Sequence, residues 1–221
     1  MKTLNDLENI RYGQHALVIG SAASIKEHKN KIDEFIKKVQ PFIIGINNMT
    51  HLFVPDYHAF TNSQRFRTYG INIKPCSQLL LGQNIPLKLI NKVIGNRDYT
   101  LINYTDKEGV PINYKNGKIT GFFRTCGNLS LMLAYIMGAD QIYFAGIDGY
   151  SMYSKSDLEA GIKTQHSYGV GLTDTADYET CVKKDKLIGK SLQLIKDYGI
   201  DFKIITPTIY KNLYDKTILN I

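Results

Sequence analysis

Short apolar runs alternate along the chain with longer stretches in which apolar residues recur every three or four positions. The apolar runs have the length and composition of buried parallel strands. They are ALVIG (16–20), PFIIGI (41–46), YHAFT (57–61), QLLLG (78–82), YTLINY (99–104), QIYFAGI (141–147) and DFKII (201–205). Alternation of such strands with helices predicts an α/β, Rossmann-like fold, in which a mostly parallel sheet carries helices on both faces.

The spacing of apolar residues predicts three main helices. The first has an apolar face from Ile25 to Val39, with Ser24 as its expected N-cap. The second runs from about Gly127 to Met137 and is apolar nearly all round, so we expect it to be buried. The third helix lies near the end of the chain. Its apolar face contains Leu187, Ile188, Leu192, Ile195 and Tyr198.

Two stretches depart from the alternation of strands and helices. PINYKNGKITG (111–121) has the pattern of a β-hairpin that turns at Asn116 and Gly117. Residues 150–181 are rich in Tyr and Gly and show no clear period, which favours a lid-like insertion. We therefore predict that residues 1–221 form a single α/β domain that contains this insertion.

Composition restricts the partners. Lys+Arg 27 against Asp+Glu 20 gives a net charge of +7, which favours anionic partners such as nucleotides, phosphorylated sugars or membrane headgroups. Nucleic acid is disfavoured, because the lysines are spread over two predicted helices without interleaved aromatic residues. The three cysteines are far apart, which favours neither disulfides nor zinc and suits a reducing cytoplasm. No secretion signal or transmembrane segment is predicted, since the longest apolar run (129–139) is too short for a bilayer.

Small and polar residues follow the predicted strands, where open parallel sheets bind their ligands. They are Gly20, Ser21 and Ala22, then Asn47 and Asn48, Asn62 and Ser63, Asp148 to Tyr150, and Thr206. Uncharged amides and hydroxyls suit the recognition of base, ribose and phosphate. The same residue types also end strands because they favour turns. Taken as a set, they predict a nucleotide-binding domain.

The segments VIGSAAS, INN, FTNSQRF and RTCGNLSLMLAYIMGADQIYFAGIDGY resemble the sialyltransferases of bacterial lipooligosaccharide synthesis. They also resemble a related group that includes hydroxymethylpterin diphosphokinases and proteins with the domain of unknown function 115. The resemblance covers about 15–66 and 119–150, and GAD-x-IY-x-x-GID-x-Y is its most specific element.

This resemblance implies roles for individual residues. The loop of Ser21, Asn47 or Asn48, and Asn62 would hold the nucleotide and sugar of a cytidine-type donor. Thr125, Cys126 and Gly127 would bind the anionic part of the donor at a helix start, where free N–H groups suit a phosphate or carboxylate. Tyr150 and Tyr153 would donate hydrogen bonds to the departing phosphate. We expect no metal cofactor for this reaction.

The chain departs from the family at two places. Ala22 and Ala23 replace the usual Gly-Pro of the first loop. Val182 occupies the position of the histidine that the sialyltransferases carry before the final helix. His166 is then the candidate general base, and its alternative is a solvent-exposed loop residue.

Other residues have two interpretations each. The guanidinium of Arg124 could clamp a phosphate or could be solvated. Asp148 could act as a base or metal ligand, or could accept hydrogen bonds from loop amides. Cys126 could be a nucleophile or a small buried side chain. The acids of DTAD (174–177) could bind Mg²⁺.

The favoured interpretation is a glycosyltransferase-like enzyme that passes sugar from a nucleotide-activated donor to a glycan acceptor in surface polysaccharide synthesis; the resemblance implies that the donor is CMP-linked. One alternative is a diphosphate transferase that requires Mg²⁺. Another is a non-catalytic nucleotide-binding module, which the missing histidine and the altered first loop favour. The small size of the domain predicts that it works as a homo-oligomer or with a partner enzyme, and association with a membrane surface remains open.

Overall fold

The computed structural model describes residues 2–153, 155–161, 164–169 and 177–220. The strands are β1 (Ala16–Ile19), β2 (Phe42–Ile46), β3 (Tyr57–Phe60), β4 (Gln78–Gly82), β5 (Tyr99–Ile102), β6 (Tyr104–Asp106), β7 (Asn113–Lys115), β8 (Lys118–Gly121), β9 (Ile142–Ala145) and β10 (Phe202–Ile204). The helices are α1 (Ser24–Glu27), α2 (Lys29–Val39), α3 (Ser63–Tyr69), α4 (Leu87–Ile94), α5 (Cys126–Ile136), α6 (Lys155–Glu159) and α7 (Tyr178–Asp197).

Seven strands form one parallel sheet in the order β10-β9-β1-β2-β3-β4-β5. The first five strands of this sheet are laid down outward from β1, and the chain then returns to place β9 on the other side of β1. The connections of β1 and β9 therefore leave the sheet in opposite directions, which opens a crevice at their carboxyl ends. The Rossmann-like α/β prediction is confirmed.

Helices cover both faces of this sheet because its central strands are apolar on both sides. Ala16 and Val18 of β1 lie in the same core cluster as α5 and α7. Leu17 and Ile19 pack on the opposite face, in the cluster that contains Ile32 and Phe35 of α2. Strands buried on both faces form continuous apolar runs, which is why the sequence pattern located them.

A second, three-stranded sheet in the order β6-β8-β7 lies between β5 and α5 in the chain. β7 and β8 form the predicted hairpin, in which Asn116 and Gly117 have φ values of +52° and +69°. Two positive φ values suit a two-residue turn, and Asn-Gly tolerates both at low cost. This small sheet contributes to the candidate site described below, because residues of β6 and residues after β8 line its cavity.

Three predicted boundaries require correction. The first helix is divided at His28 into α1 and α2. Ser24 does not cap it, because Ala23 precedes the first helical residue and the Ser24 hydroxyl is bonded to Asp148. The insertion predicted for 150–181 contains the short helix α6 and ends earlier than expected, because α7 begins at Tyr178.

None of the described helices combines the length and the apolar composition needed to cross a bilayer.

Candidate functional site

A cavity of about 330 Å³ opens at the carboxyl ends of β1, β2, β3 and β9. Its walls include Ser21 after β1, Asn47 after β2, Asn62 after β3 and Gly146 after β9. The cavity lies in the crevice where the strand order reverses, which is the usual ligand site of open α/β sheets. Its volume lies within the range of small-molecule sites.

The amino terminus of α5 forms one wall of the cavity. Thr125 caps this helix, and its Oγ1 accepts a hydrogen bond from the Asn128 N–H at 3.0 Å. Cys126 and Gly127 follow and also line the cavity. Only glycine fits at 127, because an added Cβ would lie 2.7 Å from Cζ of Phe144. The positive end of the helix dipole therefore faces the cavity.

Asp106 fixes the chain just before this helix. Its carboxylate accepts hydrogen bonds from the N–H of Phe123 at 2.8 Å and from the N–H of Arg124 at 3.1 Å. Arg124 has a φ of +62°, a conformation that costs free energy for a residue with a side chain. Asp106 offsets that cost and keeps Arg124 at the cavity wall, so the carboxylate has a structural role there.

Asn47 is held in a similar way on the opposite side. Its φ is +52°, and its carbonyl oxygen lies 2.7 Å from Nε2 of His58. Burial lowers the pKa of His58 to about 4, so the imidazole is neutral at pH 7. Because a carbonyl only accepts, Nε2 carries the proton and donates it to Asn47. This buried hydrogen bond fixes the turn that presents Asn47 to the cavity.

The cavity wall contains two arginine residues. Arg65 lies on the first turn of α3, where its N–H donates to Oδ1 of the N-cap Asn62 at 2.9 Å. Arg65 and Arg124 both line the cavity. Arginine binds phosphate and carboxylate groups through two parallel hydrogen bonds, so this pair suits an anionic ligand.

Asp148 is the second carboxylate in the cavity wall; it is buried and accepts hydrogen bonds from the start of α1 and from Tyr153. It accepts from the N–H of Ser24 at 2.9 Å, from the hydroxyl of Ser24, and from the hydroxyl of Tyr153 at 3.3 Å. Burial outweighs these bonds and raises its pKa from 3.8 to about 6. Its partners fit the structural interpretation given above.

The raised pKa of Asp148 predicts a pH-dependent stability difference. Between about pH 4 and pH 6 the folded protein binds more protons than the unfolded chain. The free energy of unfolding therefore falls by about 3 kcal/mol as pH rises through this range. Asp148→Asn removes this loss. The free energy of unfolding of the variant, relative to that of wild type, should therefore rise by about 3 kcal/mol between pH 3.5 and pH 7.

Urea unfolding across this pH range measures the difference. The titration of His58 is common to both proteins and cancels in the comparison. Parallel pH profiles for wild type and Asp148→Asn would mean that Asp148 is not perturbed.

Tyrosine side chains lie near the mouth of the cavity. Tyr150 and Tyr210 line it. Burial, reinforced by Asp185, raises the pKa of Tyr210, so its hydroxyl stays protonated and can donate. Tyr153 does not line the cavity, because its hydroxyl points to Asp148.

The segment 164–169 packs across the loop that follows β1. His166 forms a β-bridge with Ala22, and the N–H of Ser167 donates to the carbonyl of Ser21 at 2.9 Å. His166 is 5% exposed, so it is not a solvent-exposed loop residue. Its ring lines the cavity, stacks on Tyr168 at a centroid distance of 4.9 Å and meets Tyr150 edge-on at 6.3 Å.

The cavity brings most of the selected residues together. It includes Ser21, Ala22, Asn47, Asn62, Arg124, Thr125, Cys126, Gly127, Asp148, Tyr150 and His166. Whether they bind a ligand stays a prediction.

Five of the selected residues lie outside the cavity lining and have other contacts. Gly20 packs against the backbone of Gly146, and Oδ1 of Asn48 accepts from Asn72. Ser63 donates to the carbonyl of Asn84. Thr206 accepts from the N–H of Gly146, and Tyr153 is bonded to Asp148.

Cys126 is a poor nucleophile in this structure. It is buried, and burial raises the pKa of its thiol to about 11. The thiol is therefore protonated at neutral pH. Cys126 contributes its backbone at the helix start and a small side chain.

The proposed Mg²⁺ acids of DTAD are described only in part. Residues 174–176 lie outside the described residues, and Asp177 caps α7 by accepting from the N–H of Thr180 at 2.8 Å. Within the described ranges, no three His, Cys, Asp or Glu side chains are grouped to hold a metal ion.

Several other residues of the cavity wall were not predicted from the sequence. They include Arg65, Tyr104, Asp106, Gln165 and Tyr210. The position of Arg65, three residues after an Asn at a strand end, is a signal that could have been used. Tyr104 and Asp106 had no such signal, because the place of the small sheet against the main one is decided by long-range packing.

No family model matches the chain, and a search of curated proteins finds no match. The likeness to the sialyltransferases therefore rests on the quoted segments.

Proposed function

We propose that the cavity binds a nucleotide-activated sugar and that the protein transfers the glycosyl group to a hydroxyl of a glycan acceptor. One observation carries the proposal: strand ends, a helix amino terminus and the residues Arg65 and Arg124 meet in one cavity of about 330 Å³. This combination suits a small ligand with a phosphate group. The cytidine base and the glycan acceptor are implied by the resemblance.

In the proposed reaction the acceptor oxygen forms a bond to the anomeric carbon while the bond from that carbon to phosphate oxygen breaks. The nucleoside monophosphate leaves with the electron pair of that bond. The phosphate would lie between the start of α5 and the two arginines, with the Tyr150 hydroxyl as a donor, because the Tyr210 hydroxyl donates its single proton to Asp185. His166 would take the proton of the acceptor hydroxyl, and its place in the cavity wall supports this role.

The test combines ligand binding with turnover. We expect CMP, or another single nucleoside monophosphate from the set CMP, UMP, AMP and GMP, to raise the melting temperature and to bind measurably by calorimetry. The matching sugar conjugate should be consumed in the presence of EDTA. If none of these nucleotides or their sugar conjugates binds, the proposal is wrong. Consumption that requires Mg²⁺ would instead support the diphosphate transferase.

His166→Ala separates catalysis from binding. We expect turnover to fall by about 10² to 10⁴-fold, as for loss of a general base, while CMP affinity stays within about threefold. His51→Ala is the control, because His51 contacts the ring of Tyr168 in the same segment but lies outside the cavity wall. A wild-type protein that binds a sugar nucleotide and consumes none of it would favour the binding module.

A further inference from the structure

The helix α7 carries a carboxylate in the middle of its buried face. Asp185 is 4% exposed and lies between Cys181 and Ile188, which are also buried. A carboxylate at a core position costs free energy unless its oxygens accept several hydrogen bonds. A carboxylate on this buried face of the helix indicates a specific task.

Asp185 accepts four hydrogen bonds from two separate segments. Oδ1 accepts from the N–H of Tyr150 at 2.9 Å and from the hydroxyl of Tyr210 at 3.3 Å. Oδ2 accepts from the N–H and the hydroxyl of Ser151, both at 2.7 Å. One side chain of α7 therefore joins the turn after β9 to the segment after β10.

Tyr150 is held from the other side as well. Nε2 of Gln165 donates to the carbonyl oxygen of Tyr150 at 3.0 Å. The N–H and the C=O of this residue are thus both hydrogen-bonded, the first to Asp185 of α7 and the second to Gln165 of the segment 164–169. With its backbone fixed, the ring of Tyr150 has little freedom beyond its own side-chain rotation.

The two tyrosines that Asp185 holds both line the cavity. A hydroxyl stabilises a leaving phosphate only if it is already in place when charge develops, and a misplacement of about 1 Å can cost 10²-fold in rate. We propose that Asp185 is a positioning residue, which holds the Tyr150 backbone and the Tyr210 hydroxyl at the cavity. The effect of Asp185 on rate rests on the proposed function. The four hydrogen bonds that Asp185 accepts, here called the clamp, do not depend on it.

Asp185→Asn tests both parts. The amide keeps the size of the carboxylate but replaces one acceptor oxygen with a donor group. In the free protein we expect amide hydrogen exchange at Tyr150 and Ser151 to speed up at least tenfold, because their acceptor is weakened. In the turnover assay we expect kcat to fall about 10 to 100-fold with CMP affinity within about threefold.

The control is Asp197→Asn, which changes an exposed aspartate at the end of the same helix. Ser151→Ala removes only the bond from the Ser151 hydroxyl and should give a smaller change of the same kind, which keeps the test valid if Asp185→Asn does not fold. Unchanged exchange in both variants overturns the clamp. Faster exchange with unchanged kcat overturns the positioning role. If the wild-type protein binds no nucleotide, the proposed function is rejected, but the exchange result still decides whether the clamp exists.

Discussion

Replacing Arg65 and Arg124 together with alanine is expected to weaken the binding of CMP, or of whichever nucleoside monophosphate binds, about a thousandfold. Both arginines belong to the cavity wall, as do the first residues of α5. A hydrogen bond to a charged group contributes about 1.5 to 3 kcal/mol, and two such contacts give roughly 4 kcal/mol, which is about three powers of ten in affinity. Calorimetry with the nucleotide measures it directly.

Arg67→Ala is the matched control, because Arg67 lies on α3 with Arg65 but outside the cavity wall. It should bind the nucleotide as wild type does. Each single variant should show an intermediate loss. A double variant that binds within threefold of wild type would place the anion elsewhere and would remove the main support for the proposed function.

Gly20→Ala is expected to reduce the free energy of unfolding by about 4 kcal/mol or more, and the variant is expected to be largely unfolded if the wild type is only marginally stable. An added Cβ would lie 2.2 Å from the carbonyl oxygen of Gly146. Both groups belong to the backbone at adjacent strand ends, so no side-chain rotation relieves the overlap. Thermal and urea unfolding measure the loss.

Gly189→Ala provides the comparison. The same methyl group is added within α7, where it would meet only Tyr210 at ordinary contact distance, 3.4 Å. Alanine is a better helix former than glycine by about 1 kcal/mol, so this variant should be as stable as wild type or more stable. Equal stabilities for the two variants would contradict the close approach of β1 and β9.

The strands could be predicted because each is a continuous apolar run. QLLLG (78–82) matches β4 exactly, and the other parallel strands end within one or two residues of the predicted limits. The short helices α3 and α4 were missed for the opposite reason. α3 buries only Phe66, which is too few side chains to produce a visible period. α4 does have apolar residues at helical spacing, since Val93 and Ile94 pack beside Ile90, but it is only eight residues long.

Part of the candidate site could be inferred from topology. Ser21, Asn47 and Asn62 end neighbouring strands, so a parallel sheet brings them to the same edge. Tyr210 could not be placed in this way, because it follows the last strand by several residues and reaches the cavity through the packing of its own loop. Nor could the sequence show that Asn48 turns away from the cavity while its neighbour Asn47 faces it.

The sequence contains a signal that could have identified Asp185. It occupies a position of the α7 stripe formed by Cys181, Ile188 and Leu192, all of which are buried. A carboxylate at such a position of a helix is rare unless it has specific partners. The many lysines of the same helix obscure this signal, because charged residues on a helix most often form its solvated face.

Ser21 and Tyr210 both line the cavity and are separated by almost the whole described chain. During translation the cavity therefore cannot close until the segment after β10 has left the ribosome and docked. A nascent chain that has formed β1 to β5 would have most of its sheet and yet no complete cavity. Under the proposed function, nucleotide binding would thus report that folding has finished and would be a probe of late folding steps in this protein.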